Sequence, residues 1–203
     1  MVSKSESSRT TGPLAIALSL LLGLGLLPVS PAEAQKKAPG KDVSMTELMR
    51  PATVPDLVYG KDDAPVTIIE YASLTCGFCG QFHAHVMPKI KTKYIDTGIA
   101  KLHLRAFASN NLDAAGWLLA HCAGSEKGAL LASALFDRQQ QWAFVPNPVP
   151  KLFDIAKQAG FTDQTFNACV RDEKKLTALT AYRDNAFKRF GVDATPTFFI
   201  NGK

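Results

Sequence analysis

Two cysteines lie between a predicted strand and a predicted helix, and this placement constrains the fold more than any other feature of the chain. The motif is Cys76-Gly77-Phe78-Cys79. It follows residues 66–71, an apolar run rich in β-branched residues that predicts a strand, and it precedes apolar residues at helical spacing. Two thiols at the start of a helix can close into a disulfide and reopen, and the positive end of the helix favours the attacking thiolate. The motif therefore predicts a redox-active dithiol.

The residues around the motif predict a strand, a helix and a second strand. Pro88 is expected to kink the helix, because proline lacks the N–H that an inner helical turn needs. Residues 99–107 alternate between apolar and polar side chains, which is typical of a strand. In an α/β sheet, ligand and redox sites lie at the carboxyl ends of the strands, which is where the motif is placed.

The N-terminus has the pattern of a secretory signal peptide. A short basic start precedes an apolar run over residues 14–27, and a small-residue site ends at Ala34. A membrane anchor is the alternative, but the run has 14 residues, whereas a spanning helix needs about 20. We therefore expect residues 1–34 to be cleaved after Ala34 and the rest to reach an oxidising compartment, where cysteines pair. Residues 35–55 show little periodicity and predict a linker or an arm on the surface.

A long helical segment separates the dithiol from the end of the chain. Residues 109–190 follow a helical pattern throughout. The predicted helices are 113–123, 126–142, 148–159, 163–172 and 173–190. The chain then returns to a strand at 197–200. We expect residues 56–108 and 191–203 to form one α/β domain that the helical segment interrupts.

Three segments of the chain carry a family pattern. They are residues 70–79, which end in the CxxC motif, the helical insertion, and residues 191–202, in which Thr195-Pro196 precedes the last strand. Together they resemble the DsbA-like branch of the thioredoxin superfamily. The resemblance implies an α/β, thioredoxin-like fold with an inserted all-helical domain. It also implies an exported, periplasmic thiol:disulfide oxidoreductase that needs no cofactor besides its own dithiol.

The resemblance also implies roles for individual residues. Cys76 would be the exposed nucleophile, and Cys79 the buried partner that resolves a mixed disulfide. Thr195 and Pro196 would form a cis-proline loop that binds an extended substrate strand. Glu70 would be a buried acid beneath the dithiol that accepts the proton of Cys79; a carboxylate facing water is the alternative.

The two residues between the cysteines depart from the family pattern. Strong oxidants of this branch carry Pro-His there, whereas this chain has Gly77 and Phe78. Because Phe78 cannot donate a hydrogen bond to sulfur, we expect a milder oxidant. Disulfide isomerases of the periplasm carry similar Gly-aromatic pairs, so an isomerase or reductase remains an alternative.

A non-catalytic binding protein is the alternative from another class. The dithiol would suit a soft metal such as Cu(I), or an apolar surface would hold unfolded chains. Trp117, Trp142 and Phe144 are candidates for such a surface, although core packing explains them equally well. Catalytic turnover separates the two classes, because a binding protein would not oxidise a substrate repeatedly.

Cys122 and Cys169 remain, and both fall in apolar helical stretches of the insertion. In an exported chain we expect them to form a structural disulfide, with buried free thiols as the alternative. A metal site that uses His121 is disfavoured, because adjacent helical residues diverge and no second histidine is close in sequence.

Charge and histidine spacing do not indicate nucleic-acid or metal binding. The net charge of +5 is small, and the alternating spacing of Lys89, Lys91 and Lys93 spreads their charges around a helix. His83 and His85 are two residues apart, hence about 200° apart around a helix, so they cannot share a metal. We treat both histidines as surface or packing residues.

The end of the chain lies close to the last predicted strand. Lys203 follows the Asn201-Gly202 turn directly, so we expect an incomplete domain that lacks the C-terminal strand and helix of the fold. The family resemblance implies exported, cysteine-containing polypeptides as substrates and a membrane redox partner that recycles the dithiol. We expect a monomer.

Overall fold

The computed structural model describes residues 42–203, so the predicted signal peptide and the first part of the predicted linker lie outside the described residues. A four-stranded mixed sheet forms the centre, with the order β1-β3-β2-β4. The strands are β1 (Leu57–Tyr59), β2 (Val66–Ala72), β3 (Ala100–Ala106) and β4 (Thr197–Ile200). β2 and β3 are parallel, and each edge strand is antiparallel to its neighbour. The interior position of β2 agrees with its almost continuous apolar sequence.

Nine α-helices are present among the described residues. They are α1 (Met45–Leu48), α2 (Gly77–His85), α3 (Met87–Ile90), α4 (Asn111–Cys122), α5 (Ser125–Asp137), α6 (Gln139–Trp142), α7 (Pro148–Gln158), α8 (Asp163–Val170) and α9 (Glu173–Phe190). A π-helical turn, Lys91–Ile95, follows α3. None of the helices in residues 42–203 combines the length and the apolar character that a membrane crossing requires.

Two predicted helices are each divided in the structure. The helix expected to kink at Pro88 is interrupted at Val86, and Pro88 lies in the first turn of α3, where its missing N–H costs nothing. The helix predicted over 126–142 ends at Asp137, and a second helix begins at Gln139. The Leu135 carbonyl near this break accepts a hydrogen bond of 2.8 Å from the indole N–H of Trp142.

The two faces of the sheet pack against different parts of the chain. Ala72, Leu104 and Ala106 point into the main core, which the helical insertion covers with α4, α5, α7 and α8. Ile69 and Tyr71 alternate with Ala72 along the chain and point to the other face, which α1 and α9 cover. The insertion therefore packs directly on the sheet face beneath the dithiol.

Residues 42–55 contact the rest of the domain through Val43, Leu48 and Val54. Leu48 is buried among β2, β4 and α9 residues, and the Val43 N–H donates to the Gly202 carbonyl at 2.8 Å. Gly202 lies in a turn with Asn201 where both residues have positive φ. A side chain at Gly202 would place its Cβ 2.5 Å from the Val43 carbonyl, so this close approach requires glycine. Residues 35–55 are predicted to form a linker or an arm, and the described residues of this segment are anchored to the domain by the buried Leu48.

Candidate active site

The two thiols of the motif lie at the N-terminus of α2 in contrasting environments. Cys76 is the residue that caps this helix, with extended backbone angles, and it is half-buried. Cys79 lies in the first turn and is fully buried in the main core. Both are free thiols in the structure. Of the two sulfurs, only that of Cys76 is therefore accessible to the sulfur of another molecule.

The environments shift the two thiol pKa values in opposite directions. Burial opposes ionisation of Cys76, but its interactions with Thr195 and with the backbone of Cys79 and Phe78 at the start of α2 outweigh this effect, so the pKa of Cys76 lies below its ordinary value. Burial raises the pKa of Cys79 far above its ordinary value, and the neighbouring Cys76 sulfur acts in the same direction. The exposed thiol is thus the one that ionises first.

The Thr195–Pro196 loop lies beside the dithiol. The peptide bond between these residues is cis, and the Cys76 thiol lies 3.3 Å from the Thr195 carbonyl oxygen. Antiparallel pairing explains the approach, because Thr197 at the start of β4 pairs with Tyr71 near the end of β2. The fold thereby brings together residues that are 119 positions apart in sequence.

Glu70 is buried and bonded to His83, a residue predicted from the sequence to be only a surface or packing residue. Glu70 has no exposed surface, and its carboxylate oxygens lie 3.1 and 3.2 Å from Nε2 of His83. His83 follows Cys79 by one helical turn on α2, so both lie on the inner face of the helix. The imidazole also stacks on the Phe136 ring of α5, with ring centroids 3.8 Å apart. His83 comes four residues after Cys79, and this helical spacing is the sequence signal that could have predicted its inward position.

Polar groups of the helical insertion hold the loop between β2 and α2. The Leu74 N–H donates to the Asp113 carboxylate at 2.8 Å. The Gln139 amide donates to the carbonyl oxygens of Leu74 and Cys76 at 2.8 and 2.9 Å. No spacing in the sequence relates Asp113 or Gln139 to the motif, since both come from a distant segment.

Phe78, which lies between the two cysteines of the motif, has 79% of its surface exposed. Within residues 42–203, no group of three or more His, Cys, Asp or Glu side chains is placed to hold a metal ion. The Cys76 and Cys79 sulfurs are the ligands that this site would offer to a soft cation.

Cys122 and Cys169 form a disulfide, which joins the end of α4 to α8 with a Cα–Cα distance of 6.4 Å. The adjacent His121 is directed into the protein. Both of its ring nitrogens are buried without a hydrogen-bond partner, and burial lowers its pKa to about 4. His121 therefore stays neutral at physiological pH.

Comparison with known proteins identifies the family. The family model described as Thioredoxin matches residues 52–203. The crystal structure of Wolbachia pipientis alpha-DsbA1 superposes with a TM-score of 0.69 at 34% sequence identity, over 76% of this chain and 78% of that chain. This chain is a DsbA-like member of the thioredoxin superfamily. The thioredoxin-like fold predicted from the sequence is thus confirmed.

Two curated relatives of this DsbA-like protein bear names that refer to disulfide chemistry. A Rickettsia bellii protein named as a protein-disulfide oxidoreductase is 32% identical over 148 residues, which are 72% of this chain and 57% of that protein. Disulfide bond formation protein D of Bacillus subtilis is 29% identical over 160 residues, 72% of this chain and 68% of that protein. The DsbA-like chain therefore spans just over half the length of the Rickettsia relative.

Proposed function

We propose that this DsbA-like protein is a periplasmic thiol:disulfide oxidoreductase that oxidises cysteine pairs in exported proteins. The observation that carries the proposal is the pair of contrasting thiols, of which Cys76 lies 3.3 Å from the Thr195 carbonyl oxygen. The lowered pKa of Cys76 supports the oxidising direction. A stabilised thiolate makes the reduced form favourable, so the disulfide form readily accepts electrons.

The reaction begins with the Cys76–Cys79 disulfide. A substrate thiolate attacks Cys76 Sγ, a substrate–Cys76 disulfide forms, and Cys79 leaves as a thiolate that takes up a proton. A second substrate thiolate then attacks the substrate sulfur of this mixed disulfide and expels the Cys76 thiolate. The substrate has lost two electrons and gained a disulfide, and the protein holds the reduced dithiol. A membrane oxidase that accepts two electrons would restore the protein.

Three neighbouring residues would assist these steps. The cis-proline loop of Thr195 and Pro196 would bind the backbone of an extended substrate strand beside Cys76. Glu70 would exchange a proton with Cys79, because its carboxylate is buried beneath the same helix and bonded to His83. A buried thiolate at Cys79 needs such an acceptor or donor, since burial disfavours its charged form.

Turnover of a reduced multi-cysteine protein, such as reduced ribonuclease A, tests the proposal. The wild-type protein with a glutathione buffer should restore ribonuclease activity catalytically, and Cys76→Ser should abolish this. Cys79→Ser is the matched variant: it cannot form the Cys76–Cys79 disulfide, so its Cys76 thiolate should attack oxidised glutathione, expel one glutathione thiolate and remain as a mixed disulfide. Full activity of Cys76→Ser would overturn the mechanism.

The direction of electron flow has its own measurement. A reduction potential of Cys76–Cys79 near about −120 mV would agree with an oxidant, and one near about −270 mV with a reductant. Isomerisation is the second candidate, because the exposed Phe78 ring next to Cys76 offers an apolar contact to an unfolded substrate. Reactivation of scrambled ribonuclease without added oxidant would favour it.

A further inference from the structure

The four-residue loop between β2 and α2 has buried backbone groups that neither element satisfies. Ser73 and Leu74 are fully buried. The Cys76 N–H donates to the Ser73 carbonyl at 3.1 Å, which closes a turn. The N–H and the carbonyl of Leu74 have no backbone partner in this turn. Because unpaired buried amide groups are costly, another part of the chain has to bind them.

Two side chains of the helical insertion bind Leu74 from both sides. The Asp113 carboxylate accepts the Leu74 N–H, and the Gln139 amide N–H donates to the Leu74 carbonyl. Asp113 and Gln139 are themselves buried, with at most 3% of their surface exposed. The orientation of the Gln139 amide is unambiguous, since both of its partners are carbonyl oxygens, which only accept. We call Asp113 and Gln139 the Leu74 clamp.

Gln139 also binds the backbone of the proposed nucleophile, Cys76. Its amide also donates to the Cys76 carbonyl at 2.9 Å, which in addition accepts the Gly80 N–H of the first turn of α2. The Cys76 backbone is therefore held from the insertion and from the helix at once. The positive N-terminus of α2 favours the Cys76 thiolate only while Cys76 keeps this capping position.

Gly80 provides the space that Gln139 occupies. A Cβ atom at position 80 would lie 2.3 Å from Oε1 and 2.8 Å from Cδ of Gln139. Gly80 lies in a regular α-helix, where glycine is less favourable than alanine by up to about 1 kcal/mol. Close packing of Gln139, rather than backbone conformation, therefore explains a glycine directly after Cys79.

We propose that Gln139 is a positioning residue for the dithiol: it fixes Cys76 at the N-terminus of α2 by binding the Leu74 and Cys76 carbonyls, and Gly80 makes room for it. The inference rests on the proposed thiol chemistry but concerns the geometry of the nucleophile. Through this contact, the helical insertion controls the stability of the Cys76 thiolate.

Alkylation of reduced protein by iodoacetamide, followed over a range of pH, measures the ionisation of Cys76. In Gln139→Ala the ionisation constant should fall about fivefold, as expected for the loss of one hydrogen bond of ordinary strength. The equilibrium constant for reduction of the disulfide by glutathione should fall in parallel, because the reduced form loses stabilisation. Gln140→Ala, an exposed neighbour on α6, is the matched control and should change neither value.

Gly80→Ala completes the test as a double-mutant cycle. Alone, it should displace Gln139, reproduce the fall in the ionisation constant and lower the free energy of unfolding. In the Gln139→Ala background it should leave the ionisation constant unchanged and raise the free energy of unfolding, because alanine then only improves the helix. Should Gln139→Ala not fold, Gln139→Asn, whose side chain is too short to reach both carbonyls, provides the same measurements.

Two results would overturn the proposal: an unchanged ionisation constant in the Gln139 variant, or effects of the two substitutions that simply add. The outcome is separable from that of the proposed function. If Cys76 ionisation depends on Gln139 but the wild-type protein oxidises no reduced substrate, the clamp stands and the proposed function fails.

Discussion

The Glu70 carboxylate and the His83 imidazole form a buried pair 3.1 Å apart beneath the active-site helix. Removing either partner leaves the other buried without its hydrogen bond. We expect Glu70→Leu or His83→Phe to lower the free energy of unfolding by at least about 2 kcal/mol. The double variant should cost less than either single one, because it leaves neither partner buried without its hydrogen bond. Urea denaturation measures all three, and two additive single effects would contradict the pairing.

His85→Phe is the matched control for this double-mutant cycle of Glu70 and His83. His85 lies on the exposed side of the same helix, so its substitution should change the free energy of unfolding by no more than about 0.5 kcal/mol. A large effect there would show that α2 tolerates no phenylalanine, and the cycle would then need a smaller substituent.

Asp56 links the arm, the sheet and α9, and we expect Asp56→Asn to be strongly destabilising. Its carboxylate accepts hydrogen bonds from His103, from Arg105 and from the Tyr182 hydroxyl. Arg105 is buried, with 5% of its side chain exposed, so removing the counter-charge should cost about 3 kcal/mol. Asp63→Asn, an exposed position, should cost little by comparison.

The contribution of the Asp56 carboxylate to the free energy of unfolding should decrease in acid. Burial opposes its ionisation, but the hydrogen bonds from His103 and Arg105 and the Arg105 charge outweigh this effect, so the pKa of Asp56 lies below its ordinary value of 3.8. A lowered pKa contributes stability above the unfolded value, and that stability is lost as pH falls through the folded value. The difference between wild type and Asp56→Asn should therefore shrink below pH 3.8. A difference that is constant down to pH 2 would contradict the assignment.

His121 should make the protein sensitive to mild acid. Its pKa is lowered from 6.5 to about 4 by burial, so the unfolded chain binds a proton that the folded one does not. As far as His121 determines it, the free energy of unfolding should be constant above pH 6.5 and fall as pH decreases toward 4. His121→Phe should remove this part of the pH dependence, as thermal unfolding between these values would show. His85→Phe should retain it, and a pH dependence that persists in His121→Phe would point to another group.

The Cys122–Cys169 disulfide should stabilise the insertion. It closes a loop of 47 residues, for which the chain-entropy model gives about 4 kcal/mol. Cys122→Ala combined with Cys169→Ala should lower the free energy of unfolding by up to this amount in oxidising buffer. In excess reductant the variant and the wild type should unfold alike, which serves as the control. Equal stability in oxidising buffer would contradict a stabilising role.

The reduced dithiol should react with alkylating reagents at one sulfur only. Cys76 is half-buried with a lowered pKa, whereas Cys79 is fully buried with a raised one. Brief treatment of the folded protein with iodoacetamide at neutral pH should label Cys76 alone, and labelling of Cys79 should require denaturant. Peptide mass spectrometry distinguishes the two, and equal labelling in the folded state would contradict the assigned environments.

Strongly patterned elements were predictable from the sequence. The strand after Thr195-Pro196 and the last helix have the predicted bounds, Thr197–Ile200 and Glu173–Phe190. Helix α1 and strand β1 were not predicted, because four and three residues are too few to show a period. Their formation depends on burial of Leu48 and Leu57 against other elements.

A redox-active dithiol was predictable from the order of the residues alone, because a CxxC motif between a strand and a helix and a distant Thr-Pro before a strand are local patterns with few physical meanings. The groups that surround the sulfurs depend on long-range packing. His83 is turned inward onto Glu70, and Gln139 reaches Cys76 from 63 residues away. Such contacts depend on how the helical insertion packs on the sheet, and hydrogen bonds between distant segments leave no periodic trace in the order of the residues.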